Sequence, residues 1–226
     1  MAIKKFLFDL GNVFFDWNPK HVFKNYIPDE NKLDEFLKNI AFPHLDMRCD
    51  AGIKIDVAVR EAVEKFPEHE KEIKLYYPNH RKMVNGAYQD TIDVFKEIKS
   101  LGYPCYVLSN WSDETYQGME EEYPFLKEFD DKIISGREFL VKPDPKIYEL
   151  AISRFDLNPN ETLFVDDRAD NIEASIKLGF QTIHLTDPSI IKSEILTGFS
   201  STAFLTNFSS IFFLPIKYLL KIMILK

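Results

Sequence analysis

Five polar side chains that could carry out group transfer lie beside short apolar runs in this chain of 226 residues. Asp9 and Ser109 end two such runs, and the adjacent carboxylates Asp166 and Asp167 follow a third. Lys142 opens a helical pattern that precedes the third run. An aspartate can attack phosphorus and form an aspartyl-phosphate, which splits one difficult step into two easier ones. The sequence therefore predicts phosphoryl chemistry with Asp9 as the nucleophile.

A divalent cation is the expected partner of these carboxylates, because the attacking aspartate and a phosphate ester are both anions. Mg²⁺ takes octahedral oxygen ligands and usually accepts one or two carboxylates, with water and phosphate completing its shell. We predict a magnesium site made by Asp9, Asp167 and the backbone carbonyl of Gly11. Asp166 is a further candidate ligand. Asp166 and Asp167 could instead only cap the following helix, but their mutual repulsion at a buried strand end favours a metal site.

The remaining candidates would contact the phosphoryl group. Lys142, as a compact positive charge, and Ser109, as a hydrogen-bond donor, would neutralise the transferring oxygens, because such catalysis is mostly electrostatic positioning. We predict Asn12 and Asn110, together with Lys142, as substrate-binding residues. Each motif also has a structural explanation when taken alone. Asp9 could end a turn, a Ser-Asn pair often caps a helix, and a lysine is often a surface charge.

Neighbouring residues have less specific expected roles. We expect Asp170 and Asn171 to support the site by orienting Lys142 or metal-bound water. A substrate contact and a surface position are equally open for Arg168, and Trp111 belongs either to the pocket or to the core. The five histidines have no metal-ligand spacing, which leaves surface or structural roles for them.

The elements that must position these residues are predicted to be parallel strands alternating with helices. This alternation is typical of a doubly wound α/β fold whose sheet is covered on both faces. In such sheets ligands collect at the carboxyl ends of the strands, where all the candidate residues would meet. The apolar runs are 6–10, 104–108, 162–165 and 182–185, and the main helical patterns are 92–101, 147–152 and 172–176.

Residues 16–85, called the helical segment below, break this alternation. They have charged sequence with helical periodicity and no convincing buried strand. Asp46, Arg48 and Asp50 precede Gly52 in a loop that either determines specificity or is simply solvated. The predicted divisions of the chain are a catalytic core of residues 1–15 and 86–196, the helical segment inserted after the first strand, and an apolar tail of residues 197–226.

Charge and composition limit the partners. With 28 basic and 36 acidic residues the formal net charge is -8, which repels nucleic acid and anionic membrane surfaces. We expect a small phosphorylated metabolite as the partner and a monomer or homodimer. Cys49 and Cys105 form no disulfide framework and the start of the chain does not match a signal peptide, which indicates the cytoplasm. We expect the uncharged run 195–216 to pack on the domain, mediate association or be poorly ordered rather than cross a bilayer.

Four motifs connect the chain to a known family. They are DLGNV at 9–13, LSN at 108–110, KPDP at 142–145 and VDDRADN at 165–171. In this order they resemble the haloacid dehalogenase-like hydrolase superfamily. The resemblance implies a magnesium-dependent hydrolase whose cap domain, here the helical segment, closes over the site and selects the substrate. Within the superfamily the chain is most similar to the bacterial alpha-D-glucose-1-phosphate phosphatase group.

Gly11 departs from the pattern of that superfamily. Most of its phosphatases carry an aspartate at this position as the general acid and base, and haloacid dehalogenases lack it. A 2-haloacid dehalogenase therefore stays an alternative, as does a catalytically impaired relative that binds a phosphorylated ligand or a protein partner. Asp166 and Asp167 favour a phosphatase, because the dehalogenases need no metal and carry small polar residues in the fourth motif.

A phosphatase without that aspartate needs another way to release its leaving group. A sugar 1-phosphate would suit such a site, because an anomeric oxygen leaves more readily than an ordinary alkoxide and demands less protonation. Alternatively, Asp16, His44 or Asp50 would supply the proton when the cap closes. The sequence therefore predicts hydrolysis of a small phosphomonoester, with a sugar phosphate as the preferred substrate class.

Overall fold

The computed structural model describes residues 3–200 and has the predicted doubly wound α/β fold. Its seven strands are β1 Lys5–Phe8, β2 Phe15–Trp17, β3 Val84–Ala87, β4 Cys105–Ser109, β5 Asp131–Ile134, β6 Thr162–Asp166 and β7 Gln181–His184. Five of them form a parallel sheet in the order β5-β4-β1-β6-β7. The predicted tail begins in the last described helix, and residues 201–226 lie outside the described range.

Helices cover the sheet and fill the helical segment. None of the helices within residues 3–200 is both long and apolar enough to cross a membrane. The helical segment contains α1 Lys20–Phe23, α2 Glu30–Phe36, a π-helix Leu37–Asp46, α3 Met47–Asp50, α4 Ile55–Lys65 and α5 Glu70–Tyr76. The rest of the chain contains α6 Gln89–Ser100, α7 Asp113–Tyr116, α8 Met119–Glu122, α9 Ser135–Glu138, α10 Pro145–Arg154, α11 Ala169–Lys177 and α12 Ile191–Ser200.

The central strand β1 shows how the sheet is buried on both faces. Phe6 and Phe8 belong to the apolar cluster that includes residues of α6 and α12, whereas Leu7 belongs to the cluster formed with α10 and α11. This split follows from the two-residue repeat of a strand. A strand buried on both sides needs an unbroken apolar run, and Lys5–Phe8 supplies one after its first residue.

The edge strand β5 is a correction to the sequence prediction, which contains no strand at this place. Asp131 is exposed and Lys132 is partly buried, whereas Ile133 and Ile134 are buried. Only half of this strand is therefore apolar. A pattern search for continuous apolar runs does not detect such a strand, because its burial depends on pairing with β4.

An antiparallel ribbon of β2 and β3 joins the helical segment to the sheet. Phe15 pairs with Ala87 and Trp17 pairs with Val84, so the chain enters and leaves the segment through adjacent strands. The sequence pattern does not predict this ribbon, because both strands are short and only partly buried.

The helical segment has an apolar cluster of its own. The ring of Phe23 lies 5.6 Å from that of Phe36 and 5.4 Å from that of Tyr76, measured between centroids. All three rings are buried, and the remaining members of the cluster also come from within residues 22–83. The helical segment therefore packs around its own core, separate from the two clusters that enclose the sheet.

Candidate functional site

Four of the predicted site residues meet where β1, β4 and β6 end. Asp9 directly follows β1, Ser109 is the last residue of β4, and Asp166 is the last residue of β6. The backbone N–H of Asp9 donates to the carbonyl of Val165 at 2.9 Å, which fixes the end of β1 against β6. Oxygens of Asp9, Asp166 and Asp167 lie within 4.8 Å of one another. The parallel sheet thus brings three carboxylates from two motifs together.

Lys142 is the cation of this cluster. Its Nζ lies 2.9 Å from Asp9 Oδ1 and 2.7 Å from Asp166 Oδ2, and its side chain is only 1% exposed. The ammonium group also lies 5.6 Å from the centre of the Phe164 ring. Burial alone would lower the pKa of Lys142, but Asp166 and Asp9 raise it above its ordinary value. Lys142 is therefore positively charged.

Asn110 holds the backbone of Lys142 in place. Its Oδ1 accepts a hydrogen bond from the Lys142 N–H at 2.8 Å, and its Nδ2 donates to the Lys142 carbonyl at 2.9 Å. Both ends of the amide are thus used on one backbone residue. This geometry makes Asn110 a positioning residue, and the predicted contact of Asn110 with substrate stays a prediction.

Asp166 accepts hydrogen bonds from three donor groups. Its Oδ1 accepts from the Arg168 N–H at 2.9 Å and from Asn171 Nδ2 at 2.9 Å. Its Oδ2 accepts from Lys142 Nζ at 2.7 Å and from the same Asn171 Nδ2 at 3.1 Å. Asp166 therefore holds Lys142 in position, and its predicted role as a metal ligand stays a prediction.

Asp167 is the more open carboxylate of the pair. Its Oδ2 accepts one hydrogen bond from Asn12 Nδ2 at 3.0 Å, and its side chain is partly exposed. Asn12 has a φ of 53°, in the left-handed region that asparagine tolerates better than most residues. The turn after β1 therefore points the Asn12 amide at Asp167. This amide engages Oδ2 and leaves Oδ1 of Asp167 available.

The cluster has more negative than positive charge. Burial raises the pKa of Asp9 to about 7 against the lowering effect of Lys142, and burial also raises the pKa of Asp167. Within the described residues, Lys142 is the cation in ion pairs with this cluster. Three carboxylates and one ammonium group leave a buried excess of negative charge, which is costly without a further cation. The donor set consists of oxygens alone, as Mg²⁺ prefers, so the residues fit a magnesium ion.

The two predicted supporting residues have different contacts. Asp170 forms an ion pair with Arg168 at 2.6 Å on the surface. Asn171 Nδ2 donates to both oxygens of Asp166, which accepts from Lys142 Nζ, so Asn171 supports Lys142 through Asp166. The orientation of metal-bound water by either residue stays a prediction. The spacing of the fourth motif does not reveal this division of roles, because both side chains lie on the first turn of α11.

Two candidate proton donors lie in other networks. Asp16 Oδ1 lies 3.0 Å from His21 Nε2, and Asp16 Oδ2 accepts from Asn85 Nδ2 at 2.9 Å. Partial burial raises the pKa of Asp16, but these hydrogen bonds outweigh burial and lower it overall. His44 Nε2 lies 3.3 Å from Lys65 Nζ, within the helical segment. These contacts join Asp16 to His21 and Asn85 and join His44 to Lys65, and none of them includes Asp9. Proton donation by either group stays a prediction.

The charged residues before Gly52 have separate surroundings. Asp46 accepts a hydrogen bond from the Tyr76 hydroxyl at 2.5 Å, and Arg48 pairs with Glu61. Burial and the charges of Asp46 and Asp9 raise the pKa of Asp50 well above its ordinary value. A role of these residues in substrate selection stays a prediction.

Trp111 belongs to the main apolar cluster. Its side chain is 6% exposed and its Nε1 has no hydrogen-bond partner among the described residues. Ser109, two residues before it, is buried at the end of β4 and pairs in register with Ile134. The structure thus places Ser109 at the catalytic edge and Trp111 in the core behind it.

An α/β sheet with a buried lysine and carboxylates at its carboxyl edge is an arrangement suited to ligand chemistry at that edge. The sequence-family model of the haloacid dehalogenase-like hydrolases matches residues 3–179 of this chain. The chain belongs to this family and is a hydrolase of the haloacid dehalogenase superfamily. The narrower similarity to alpha-D-glucose-1-phosphate phosphatases stays a prediction.

Relatives with known names include two kinds of hydrolase. The chain is 25% identical over 192 residues to the sesquiterpene phosphatase AstK of Aspergillus oryzae, across 82% of this chain and 91% of the relative. It is 33% identical over 100 residues to (S)-2-haloacid dehalogenase 4A of Burkholderia cepacia, across 44% of this chain and 43% of the relative. The chain thus matches less than half of that dehalogenase.

A solved structure has the same fold. It is a HAD family enzyme of Bacteroides thetaiotaomicron in complex with magnesium and inorganic phosphate. The TM-score is 0.63 at 21% identity, across 80% of this chain and 93% of the other. At this identity the similarity establishes the fold, which is the α/β fold described above.

Proposed function

We propose that this hydrolase is a magnesium-dependent phosphatase that acts on a small phosphomonoester. The observation that carries the proposal is the buried cluster of Asp9, Asp166 and Asp167, which has Lys142 as its paired cation. A bound Mg²⁺, held by Asp9, Asp167 and the Gly11 carbonyl, would neutralise phosphate charge and so favour attack by an anion. Asp166 positions Lys142, with which it pairs at 2.7 Å, and is a further candidate ligand.

Each residue of this chain has a defined part in the proposed reaction. The Asp9 carboxylate attacks phosphorus and forms an aspartyl-phosphate as the ester oxygen leaves. Lys142 and Ser109 stabilise the negative charge on the phosphoryl oxygens, and Asn110 keeps Lys142 in place for that task. Water then attacks the aspartyl-phosphate, which releases inorganic phosphate and restores the Asp9 carboxylate.

The helical segment acts in this proposal as a cap. It has its own apolar cluster, and the ribbon of β2 and β3 connects it to the core at adjacent points. Closure of such a domain would exclude bulk water from the carboxylate cluster and strengthen the electrostatic interactions there. The residues of the segment that face the site would then select the substrate.

The same charges argue against a 2-haloacid dehalogenase. A haloacid is an anion, and a metal-free site must supply positive charge to bind its carboxylate. Here Lys142 already pairs with Asp9 and Asp166, and the cluster retains excess negative charge. An incoming carboxylate would be repelled, whereas a phosphate ester brought in with Mg²⁺ would not.

The substrate class is narrower in our proposal than in the family assignment. A sugar phosphate is preferred, because Gly11 supplies no acid and an anomeric oxygen needs little protonation. The phosphatase relative carries the name of a sesquiterpene phosphatase, so isoprenoid phosphates belong beside sugar phosphates in any screen.

A phosphate-release screen tests the proposal. The full chain is assayed with sugar phosphates, nucleotides, small phospho-acids and isoprenoid phosphates, with millimolar Mg²⁺ and again with chelator. We expect phosphate release in the presence of Mg²⁺ and none with chelator. Asp9→Asn should lower the rate of phosphate release by on the order of 10³-fold or more, because the nucleophile is removed. Asp156→Asn is the matched control, since this carboxylate is fully exposed and lies outside the site.

Two results would contradict the proposal. One is activity that survives Asp9→Asn. The other is halide release from a 2-haloacid that ignores chelator, with no phosphate released from any ester of the panel, which would assign the chain to the dehalogenases.

A further inference from the structure

The end of β6 is held between its two neighbouring strands. On one side, the N–H of Asp9 donates to the Val165 carbonyl at 2.9 Å. On the other side, the N–H of Leu185, which directly follows β7, donates to the Asp166 carbonyl at 2.9 Å. These two bonds fix the backbone of the strand as far as Asp166, the residue before the more open carboxylate of the cluster.

Asp167 lies between the end of this strand and the helix that follows. At the start of α11, the N–H of Ile172 donates to the Arg168 carbonyl at 3.1 Å. Asp167 is therefore the residue between the bonds that hold the end of β6 and the bond that begins α11. A metal ligand at such a junction needs a further contact to fix its backbone, because its position is set neither by the sheet nor by the helix.

The side chain of His184 supplies a contact at this junction. His184 is the last residue of β7, and its Cα pairs in register with that of Asp166. Its Nε2 lies 2.9 Å from the carbonyl oxygen of Asp167. A carbonyl oxygen only accepts, so Nε2 carries the hydrogen of this bond. The end of β7 therefore holds the chain after β6 twice, through a backbone bond to Asp166 and a side-chain bond to Asp167.

Asn12 fixes Asp167 from a second direction. Its Nδ2 donates to Asp167 Oδ2 at 3.0 Å, from the turn after β1. The two contacts act on different parts of the residue, because His184 bonds the backbone and Asn12 bonds one carboxylate oxygen. Hydrogen bonds that hold a ligand side chain in one orientation increase the affinity of a site for its metal. Asp167 is thus braced at both ends while its Oδ1 stays available.

We propose that His184 is a positioning residue of the magnesium site, which holds the backbone of Asp167 and so keeps its carboxylate in the cluster with Asp9 and Asp166. The proposal rests on the proposed function above. A neutral imidazole ring with its hydrogen on Nε2 is sufficient for this role, because the partner is a carbonyl group. The sequence leaves His184 with a surface or structural role, because no ligand spacing connects it to the fourth motif.

The test measures Mg²⁺ binding directly, by isothermal titration calorimetry of the full chain after removal of chelator. His184→Leu removes the donor and keeps much of the side-chain volume, whereas His184→Gln keeps an Nε2 donor. We expect the dissociation constant of Mg²⁺ to rise about tenfold in His184→Leu and to stay within about threefold of the wild type in His184→Gln. At saturating Mg²⁺, the kcat of both variants should stay within about threefold of the wild type, because the nucleophile and Lys142 are unchanged.

Gln181→Leu is the matched control, because Gln181 is an exposed residue at the other end of β7 and should leave the dissociation constant unchanged. The role of His184 would be overturned by an unchanged dissociation constant in His184→Leu, or by an equal rise in His184→Gln or in Gln181→Leu. A wild type that binds no Mg²⁺ in this titration overturns the proposed metal site instead, so the two failures are distinguishable.

Discussion

Hydrogen bonds decide which carboxylate of the cluster is free to react. Asp9, Asp166 and Asp167 are close together, yet Asp166 accepts hydrogen bonds from three donor groups, those of Lys142, Arg168 and Asn171. Asp167 receives one side-chain hydrogen bond, and Asp9 has its ion pair with Lys142. Identical side chains therefore take different roles, because their partners leave different numbers of oxygen lone pairs available.

Gly11 offers a test of proton supply at the residue scale. A Cβ atom built on Gly11 meets no other atom within 4 Å, so a side chain fits there. We expect Gly11→Asp to raise kcat/KM for an alkyl phosphate at least about tenfold, because a carboxyl group would then lie beside the leaving oxygen. Steady-state kinetics with that ester measure the gain.

Gly11→Ala is the control for this gain. It adds a Cβ atom and no acid, so it should leave kcat/KM at the wild-type level. An equal gain from alanine and aspartate would show that bulk, not proton donation, accelerates the reaction.

At the scale of elements, the end of the π-helix and α3 place two acids one turn apart. Asp46 is held by the Tyr76 hydroxyl inside the helical segment. It thus belongs to the packing of that segment. The charge of Asp46 also raises the pKa of Asp50, the second acid.

Asp46 makes the stability of the segment depend on pH. Burial raises its pKa from 3.8 to about 7, against the lowering effect of Tyr76. The unfolded chain loses this proton near pH 4 and the folded chain keeps it up to about pH 7, so the contribution of Asp46 to stability is lost as pH rises across that window. We expect Asp46→Asn to stabilise the protein at pH 8 by on the order of a few kcal/mol, since one pKa unit corresponds to about 1.4 kcal/mol.

Urea unfolding at pH 5 and pH 8 checks this expectation. The free energy of unfolding should change less between the two pH values in Asp46→Asn than in the wild type. Asp56→Asn, an exposed acid of α4, should keep the wild-type difference. A wild type that is more stable at pH 8 than Asp46→Asn would contradict the assignment.

At the scale of the whole molecule, the protein has an excess of negative charge, with a formal net charge of -8. Part of this excess lies in the carboxylate cluster, where Lys142 does not balance the charges of Asp9, Asp166 and Asp167. A cation that binds the folded chain and not the unfolded chain must therefore stabilise the fold.

We expect Mg²⁺ to raise the temperature of thermal unfolding. At 100 times its dissociation constant, a ligand of the folded state adds about 2.7 kcal/mol to the free energy of unfolding. Asp167→Asn should abolish this shift, because it removes a negative ligand while keeping an acceptor for Asn12. Scanning fluorimetry with and without chelator measures it. Asp156→Asn should retain the full shift, and a shift that survives in Asp167→Asn would place the ion elsewhere.

Much of the fold could be predicted because its signals are local. The runs that become β1, β4 and β6 are apolar over consecutive residues, a pattern that indicates a buried strand. The predicted run 182–185 overlaps β7, of which only Ile183 is buried. The strand Asp131–Ile134 escapes this reasoning, since half of it is polar and only its pairing with β4 defines it. The ribbon of β2 and β3 escapes it for the same reason, because its two strands, Phe15–Trp17 and Val84–Ala87, lie far apart in the sequence and are defined by their pairing with each other.

The sequence by itself determined the chemical groups and their order along the chain: Asp9, Lys142 and the adjacent acids Asp166 and Asp167. The tertiary structure decided which group each of them meets. Asn110 proved to hold the Lys142 backbone, and Asn171 proved to contact Asp166. Residue types and local spacing carry the first kind of information. Contacts between distant segments, and contacts to backbone groups that every residue possesses, depend on how the whole chain packs.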